Sequence, residues 1–194
     1  FPYDSISKGK KINIAQLLSH TAGLSVSGFG GYEKGQALPT ITQILDGEKP
    51  ANSNAVRSIF EPGLKFQYSG GGTTVSQLIV ENVTSEKYAD YMLKNVLQPL
   101  GMKQSSFNQP PSSDKQNLLA TGYNGKVEVV GKYHIYPEQA AAGLWTNPTD
   151  LAKYIIETQL SLQGKSNKIL SKEMSIKRLD NNLGVFVQDY NGTT

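Results

Sequence analysis

The stretch FQYSGGGTT, residues 66–74, decides how the rest of the sequence is interpreted. A tyrosine, a serine and three glycines stand directly before a segment whose apolar residues recur at helical spacing: Val75, Leu78, Ile79 and Val83. We therefore expect a helix that begins near Thr73. The stretch itself is compatible with a phosphate cradle, a serine nucleophile on a tight turn, a tyrosine base, or a plain flexible turn.

Two of these roles fit the local pattern poorly. A P-loop requires a lysine and a hydroxyl after its glycines, whereas Gly70–Gly72 is followed by Thr73 and Thr74 with no lysine. Bare N–H groups at a helix N-terminus remain a weak signal for anion binding. A strand–turn–helix nucleophile requires G-x-S-x-G, and Gln67 occupies the position of the first glycine. The pattern thus argues against Ser69 as a nucleophile.

Another serine chemistry uses Ser-x-x-Lys, in which one helical turn brings an amine beside a hydroxyl. The sequence contains three matches, Ser5/Lys8, Ser7/Lys10 and Ser112/Lys115. None is followed by an apolar helix that would hold the pair rigid. We predict that all three pairs are solvated loop residues.

Tyr68 is the remaining candidate in the stretch. A free phenol keeps its proton up to about pH 10, but cationic neighbours stabilise the phenolate and allow tyrosine to act as a general base. The alternative is that Tyr68, one of ten tyrosines, only packs its ring. The residues by themselves leave both interpretations open.

Composition limits the other possibilities. The chain has 194 residues, 38% apolar and 18% charged, which is typical of a globular domain or a large piece of one. A net charge of +3 with scattered lysines gives no argument for nucleic acid, and no apolar run is long enough for a membrane span. There is no cysteine, and His20 and His134 lack ligand spacing. We predict neither a metal nor another cofactor.

Capping and turn residues predict the remaining elements. Expected helices are IAQLLSH capped by Asn13 with Gln16, ITQILDG between Thr40 and Gly47, EKYADYMLKNVL capped by Thr84 or Ser85, the helix from NPTDLAKY to Gly164 capped by Thr149, and KEMSIKRL capped by Ser171. The apolar side of the helix after NPTD is expected to carry Leu151, Tyr154, Ile155 and Leu162. A hairpin is expected at Asn124–Gly125, and LGVFVQDY, residues 183–190, is expected to be a strand.

Four blocks of the sequence together resemble one family. They are INIAQLLSHTAGL at 12–24, PGLKFQYSGGG at 62–72, YMLKNVLQPLGMKQSSF at 91–107 and AAAGLWTNPTDLAKY at 140–154. The resemblance is to the serine β-lactamase-related family, which includes class C β-lactamases, D-alanyl-D-alanine carboxypeptidases and esterase-like penicillin-binding protein homologues.

The resemblance implies an α+β, mainly helical chain with a partial β-lactamase/transpeptidase-like fold that lacks much of the main antiparallel sheet. We expect one incomplete domain over 1–194. Residues 1–110 would be helical with long loops, and residues 111–194 would hold a hairpin, two helices and a strand. Apolar faces left without that sheet would favour oligomers.

The resemblance also implies acyl transfer, in which a serine attacks a carbonyl while a lysine and a tyrosine manage the proton. The family's Tyr-x-Asn motif falls on Tyr68-Ser69-Gly70, so Tyr68 is the implied catalytic base, and Ser69, Gly70 and Glu138 are the implied substrate-binding residues. Glycine replaces the asparagine that contacts an acylamide, which favours an ester over a β-lactam or a D-Ala peptide of peptidoglycan type. Family habit implies an extracytoplasmic, periplasmic or secreted, location.

Two motifs of the family have no counterpart here. Its Ser-x-x-Lys nucleophile lies well before the LLSHTAGL block, and its Lys-x-Gly or His-x-Gly strand lies beyond LGVFVQDY; neither Lys-x-Gly nor His-x-Gly occurs in the sequence. We therefore expect a fragment of a serine hydrolase that is inactive alone. The alternative is a noncatalytic binding or interaction module on the same scaffold.

Three further residues have two interpretations each. We expect His20 to be a structural histidine that fixes a helix end by hydrogen bonds, rather than a catalytic one. We expect Trp145 to be a core residue rather than a substrate platform. Glu138 either faces the cleft or is a solvated or capping carboxylate.

Overall fold

The computed structural model describes residues 6–188 and is mostly helical. Its α-helices are α1 (Ile14–Leu18), α2 (Ile41–Asp46), α3 (Gly70–Thr84), α4 (Tyr88–Met92), α5 (Gln139–Ala142), α6 (Pro148–Leu162) and α7 (Lys172–Asp180). A π-helical turn, Leu93–Leu97, continues α4, and a 3₁₀ helix spans Ser113–Leu118. Within residues 6–188 the sheet consists of one hairpin, β1 (Tyr123–Asn124) and β2 (Val127–Glu128). The predicted mainly helical α+β chain with little of the main sheet is confirmed.

The first two helices begin as predicted, and α2 also ends as predicted, whereas α1 ends at Leu18, two residues before the end of the predicted IAQLLSH. The Asn13 side chain accepts from the Gln16 N–H at 2.9 Å, and the Gln16 side chain accepts from the Asn13 N–H at 3.1 Å. Thr40 and Gln43 form the same reciprocal capping box at the start of α2. Gly47 ends α2 with φ of +68°, a left-handed conformation that glycine adopts without a steric penalty.

Three predicted helix starts were wrong. Helix α3 begins at Gly70 rather than near Thr73, because the Ser69 hydroxyl caps it. Ser85 ends α3 with φ of +57°, and α4 begins at Tyr88 without a side-chain cap. Helix α6 is capped by Asn147 rather than Thr149, since the Asn147 side chain accepts from the Asp150 N–H at 2.9 Å and Pro148 occupies the first turn.

The chain after α7 does not form the predicted strand. Residues 185–188 have no ladder partner, and the last two residues of the predicted strand, Asp189 and Tyr190, lie outside the described part of the chain. The Gly184 N–H donates to the Leu18 carbonyl at 2.9 Å. This contact brings the segment back to the end of α1 and places Phe186 beside it.

Helix α3 lies at the centre of the first of two apolar clusters. It packs Val75, Leu78 and Ile79 against a buried group from the chain before it, formed by Leu17, Ala22, Leu24, Leu45 and Val56. It also contacts α1, α2 and α5. Since α3 begins at Gly70, this packing fixes where the 66–72 stretch emerges at the surface.

The second cluster holds the later helices together. Its buried members are Ala89, Leu97, Leu100, Met102 and Phe107, and Tyr154 of α6 packs against them. The rest of α6 reverses the usual pattern, because Asp150 and Glu157 are buried while Ile155 and Ile156 are 54% and 55% exposed. On the predicted apolar side of α6, Tyr154 and Leu162 are half-buried, whereas Leu151 and Ile155 are exposed. The exposed isoleucines agree with the expectation of uncovered apolar faces.

Candidate active site

The turn that carries Tyr68 is fastened on both sides of that residue. The Gln67 N–H donates to the His20 carbonyl at 2.7 Å, and the Ser69 N–H donates to Nδ1 of the His20 ring at 3.2 Å. The Ser69 hydroxyl donates to the Ser25 carbonyl at 2.7 Å and accepts from the Gly72 N–H at 2.9 Å. The sequence predicted a turn here but not these partners, which lie more than forty positions away for His20 and Ser25.

The glycine N–H groups face protein oxygens. Gly70 donates to the Ser27 carbonyl at 3.3 Å, Gly71 donates to the Val26 carbonyl at 3.0 Å, and Gly72 donates to the Ser69 hydroxyl. These are the donors that a phosphate cradle would need. Because each already has an acceptor, the stretch is built as a capped helix start and the anion-binding interpretation loses its support.

Gly70 and Ser69 are both buried under the 25–29 segment. A Cβ at Gly70 would lie 3.1 Å from the Ser27 carbonyl oxygen and 3.2 Å from the Phe29 ring. The space that a longer side chain would enter is thus occupied by the protein's own backbone. In the structure Ser69 is the N-terminal cap of α3. The substrate-binding roles of Ser69 and Gly70 stay predictions.

Tyr68 presents its side chain to the surface and is 50% exposed. Its ring lies 4.3 Å from the His20 ring, centroid to centroid, with 33° between the planes. Phe66 and Phe186 lie against the same imidazole at 6.0 and 6.2 Å. We call the exposed rings of Phe66, Tyr68 and Phe186 the aromatic patch. Within residues 6–188 no group hydrogen-bonds the Tyr68 hydroxyl, so it is open to an incoming molecule.

His20 forms the floor of the aromatic patch. It is buried, and burial lowers the pKa of its imidazole. A backbone N–H can only donate, so the bond from Ser69 requires a lone pair on Nδ1 and leaves the ring proton of the neutral form on Nε2. The expectation of a structural histidine agrees with these contacts, although His20 fastens the Tyr68 turn as well as the end of α1.

The Ser-x-x-Lys matches do not form catalytic pairs where the structure describes them. Lys8 and Lys10 both pair with Glu61, Lys8 at 2.9 Å. The Lys115 amine donates to the Lys103 carbonyl at 3.3 Å rather than to a serine. Ser5 lies outside the described residues. The lysine contacts agree with the prediction of loop lysines, whereas Ser7 is only 2% exposed, so the prediction that it is solvated is wrong.

Glu138 occupies an interior position just before α5. Its side chain is 0% exposed, and within the described chain neither carboxylate oxygen has a hydrogen-bond partner. Burial raises the pKa of this carboxyl. Burial also raises the pKa of the nearby Tyr32 phenol, and the charge of Glu138 adds to that rise. The interpretation as a solvated or capping carboxylate is wrong. A substrate-binding role stays a prediction, and it would require the carboxyl to become accessible.

A second buried carboxylate, Asp150, was not predicted from the sequence. Its Oδ2 accepts from the Gln104 N–H and the Ser105 hydroxyl, both at 2.9 Å, and its Oδ1 pairs with Lys153 at 2.6 Å. Burial alone would raise the pKa of Asp150, but the bonds from Lys153, Ser105 and Gln104 outweigh it and hold the pKa below the usual value. The sequence placed Asp150 in the first turn of α6, but two of its partners, Gln104 and Ser105, lie more than forty residues earlier in the chain.

Trp145 packs edge-on against Tyr133 at 5.2 Å, and its backbone pairs with Ser106, which agrees with the expected core role. Within residues 6–188 no group of three or more His, Asp or Glu side chains is placed to hold a metal ion. Over the same residues no helix has the length and apolar character needed to cross a bilayer.

The mainly helical fold and the Tyr68 turn together define a scaffold of the serine-hydrolase type. A sequence profile of the beta-lactamase family matches residues 1–188, and the chain belongs to that family. The predicted resemblance is confirmed.

Individual relatives that match this chain are considerably longer than it. Protein flp of Staphylococcus aureus strain N315 is 26% identical over 182 residues, which cover 91% of this chain and 34% of that protein. The octameric penicillin-binding protein homologue from Pyrococcus abyssi is 27% identical with a TM-score of 0.63, covering 88% of this chain and 39% of that one. The chain therefore spans about a third of the length of the curated relatives it matches.

A third likeness concerns the fold alone. The D-amino acid amidase from Ochrobactrum anthropi SV3 is 20% identical with a TM-score of 0.66 and is matched over 87% of this chain and 48% of that enzyme.

Proposed function

We propose that this chain supplies the tyrosine proton acceptor of an acyl-transfer site in a serine hydrolase of the beta-lactamase family. The observation that carries the proposal is the Tyr68 turn. It offers a half-exposed phenol whose hydroxyl has no hydrogen-bond partner in the described chain, while both flanking residues are anchored to His20. A reacting group needs that combination of access and fixed direction.

In the proposed reaction, the oxygen of a serine from a Ser-x-x-Lys segment attacks the substrate carbonyl. The serine proton passes to the Tyr68 oxygen, and the same proton is then delivered to the departing alcohol or amine. Water hydrolyses the resulting acyl-enzyme ester by the reverse sequence, so the serine regains its proton. The lysine of that segment favours the phenolate electrostatically.

We propose an ester of a small molecule or of a peptidoglycan-type polymer as the substrate, ahead of a β-lactam or a D-Ala peptide. Gly70 has no amide side chain to bind an acylamide, and the Ser27 carbonyl and the Phe29 ring occupy the space beside it. A site that reads an amide by hydrogen bonds loses much of its discrimination when those groups are absent. An extracytoplasmic location is part of the same proposal.

We further propose that the 194-residue chain is a fragment that does not turn over substrate by itself. A proton acceptor without a nucleophile and without an oxyanion-stabilising strand lacks the largest catalytic contributions. The support is the sequence, which contains no Lys-x-Gly or His-x-Gly, and the lysine contacts, in which Lys8 and Lys10 are held by Glu61.

The test compares the 194-residue chain with the protein encoded by the full reading frame, using nitrocefin, p-nitrophenyl acetate and a D-alanyl p-nitroanilide. In the longer protein, Tyr68→Phe is expected to lower kcat/KM by about 10²–10⁴-fold, the range for loss of a general base. The matched control is Tyr123→Phe, since Tyr123 is also an exposed tyrosine but lies in the hairpin.

Three outcomes would count against parts of the proposal. Unchanged turnover in Tyr68→Phe would remove the catalytic role of the phenol. Turnover by the short chain that disappears in Tyr68→Phe would show that the chain is not a fragment in the catalytic sense. No turnover by the full-length protein would favour the noncatalytic interaction module.

A further inference from the structure

His20 contacts the Tyr68 turn in three ways, through its carbonyl, its ring nitrogen and its ring face. We propose that His20 is a positioning residue for Tyr68, setting the direction in which the phenol leaves the turn. The inference rests on the proposed proton-acceptor role of Tyr68 for its functional meaning. The positioning itself is a structural property that is measured without turnover.

The two hydrogen bonds fix the backbone on either side of Tyr68. The His20 carbonyl accepts from the Gln67 N–H at 2.7 Å, and its Nδ1 accepts from the Ser69 N–H at 3.2 Å. One histidine therefore anchors residues i−1 and i+1 of the tyrosine. With both neighbours held, the Tyr68 Cα–Cβ bond has one available direction.

The ring contact then limits the side chain. A centroid distance of 4.3 Å puts the imidazole in contact with one face of the phenol ring. Phe66 and Phe186 lie against the same imidazole, and Phe186 is brought there by the bond from Gly184 to Leu18. The phenol is thus supported from within the aromatic patch, while its hydroxyl stays exposed.

The protonation state of His20 controls the anchor. A proton on Nδ1 would place one N–H against the Ser69 N–H, so the cationic imidazole cannot accept that bond. The groups packed on the ring are the Tyr68 phenol, the rings of Phe66 and Phe186, and the Ser69 backbone. Among these contacts within residues 6–188 there is no charged side chain, and Tyr68 is the one other titratable group. Acid is therefore expected to release the turn by acting on His20.

Two substitutions separate the anchor from the ring contact. His20 has φ of +55°, a left-handed conformation that asparagine tolerates. His20→Asn offers a side-chain oxygen in place of Nδ1 and so keeps an acceptor for Ser69, but it removes the ring from Tyr68. His20→Phe keeps a ring and removes the acceptor.

The experiment is NMR spectroscopy on the 194-residue chain labelled uniformly with nitrogen-15 and with carbon-13 in the tyrosine rings. The sequence has two histidines, so His134→Asn assigns both imidazoles and serves as the matched control, while Tyr68→Phe assigns the tyrosine signal. We expect His20 with its proton on Nε2, and Tyr68 ring signals that shift with pH at the same midpoint as His20. His20→Asn should keep the Ser69 amide shift and lose the ring-current shift of Tyr68, and His20→Phe should do the opposite.

The proposal is overturned if His20 carries its proton on Nδ1, or if the Tyr68 signals do not follow the His20 titration. Both measurements use the unsubstituted chain and remain decisive where a His20 variant does not fold. Turnover by the full-length protein gives a separate readout. If His20 moves the Tyr68 signals while Tyr68→Phe leaves kcat unchanged, the positioning is supported and the proposed catalytic function fails.

Discussion

The hydroxyl of Ser69 lies 2.9 Å from the Gly72 backbone nitrogen and caps α3. The same hydroxyl donates to the Ser25 carbonyl at 2.7 Å, so it joins the helix start to a distant loop. The Ser69 hydroxyl therefore uses both its proton and its lone pair for bonds within the protein. This relationship gives the serine beside the exposed Tyr68 a structural role as the cap of α3.

Ser69→Ala should destabilise the fold by about 1–2 kcal/mol, because it removes a helix cap and leaves the partly buried Ser25 carbonyl without that donor. The free energy of unfolding from urea denaturation followed by circular dichroism measures the loss. Ser171→Ala is the matched control, since Ser171 caps α7 by the same type of bond at an exposed position. We expect the control to lose about 0.5–1 kcal/mol. Equal losses would show that the Ser25 bond contributes nothing.

Neighbouring glycines of α3 should respond in opposite directions to alanine. A Cβ at Gly71 would lie 2.7 Å from Val56 Cγ2 and 3.0 Å from the Ser25 carbonyl oxygen, and Val56 is fully buried. We expect Gly71→Ala to cost about 1–3 kcal/mol by overpacking.

Gly72→Ala is the control for that substitution, because its Cβ would meet only ordinary contacts of 3.6–3.7 Å. Alanine loses less conformational entropy in a helix, so this variant should be neutral or more stable by up to about 1 kcal/mol. Melting temperatures of the two variants test the pair. A higher melting temperature for Gly71→Ala would mean that Val56 and the Ser25 backbone move aside at little cost in free energy.

Short-range features of the fold were accessible from the sequence, whereas long-range partners were not. The capping boxes at Asn13 and Thr40 use residues three positions apart, and the hairpin forms with a two-residue turn at 125–126, one position after the predicted Asn124–Gly125. Local chemistry specifies each of these. The early start of α3 was missed although Ser69 and Gly72 are also three positions apart, because three successive glycines have low helix propensity and favour the interpretation as a turn.

The candidate site divides in the same way. Tyr68 was found through the resemblance to the family, and its exposure is visible only in three dimensions. His20 was correctly expected to be a structural histidine. Its bond to the Ser69 N–H was not predicted, because the two residues are 49 positions apart in the sequence. The burial of Glu138 also escaped the sequence, since a glutamate before an alanine-rich helix is ordinarily a solvated or capping residue.

Glu138→Gln should change the pH dependence of stability. The folded-state pKa of Glu138 is raised, so the folded protein binds the proton more tightly than the unfolded chain does. Stability is therefore lost as pH rises above the ordinary value of 4.5 and through the folded pKa. Glutamine stays neutral, so the variant should match the wild type near pH 4 and melt at a higher temperature at pH 8.

Thermal unfolding across that pH range measures the difference, with Glu48→Gln as the exposed control. The control should leave the curve unchanged. If Glu138→Gln behaved like Glu48→Gln at pH 8, the carboxyl would have found a partner or water when ionised.

Asp150→Asn should have the reverse pH dependence. The bonds from Lys153, Ser105 and Gln104 lower the folded-state pKa of Asp150, so its contribution is present above the ordinary value of 3.8 and is lost as pH falls below it. At pH 7 the variant should lose about 1.5–3 kcal/mol, the range for hydrogen bonds to a buried charged group.

Chemical denaturation at pH 7 and pH 3 measures that loss, which should shrink in acid. Asp46→Asn is the control, because Asp46 pairs with Arg57 only at 3.5 Å on the surface and should change stability by less than about 1 kcal/mol. A loss that persisted unchanged at pH 3 would point to packing of the Asp150 side chain rather than its charge.

The uncovered side of α6 predicts self-association of this chain. Ile155 and Ile156 are more than half exposed next to Leu151, while the polar residues Asp150 and Glu157 face inward, so turning the helix over is not an available way to hide the isoleucines. Contiguous apolar surface of this kind favours contact with a second copy. The double variant Ile155→Glu/Ile156→Glu should raise the monomer fraction in sedimentation velocity at rising protein concentration.

Val83→Glu is the control, because Val83 is 79% exposed at the far end of α3 and should leave the distribution unchanged. A compact wild-type monomer that melts cooperatively at high concentration would show that exposed isoleucines on α6 are tolerated without a partner.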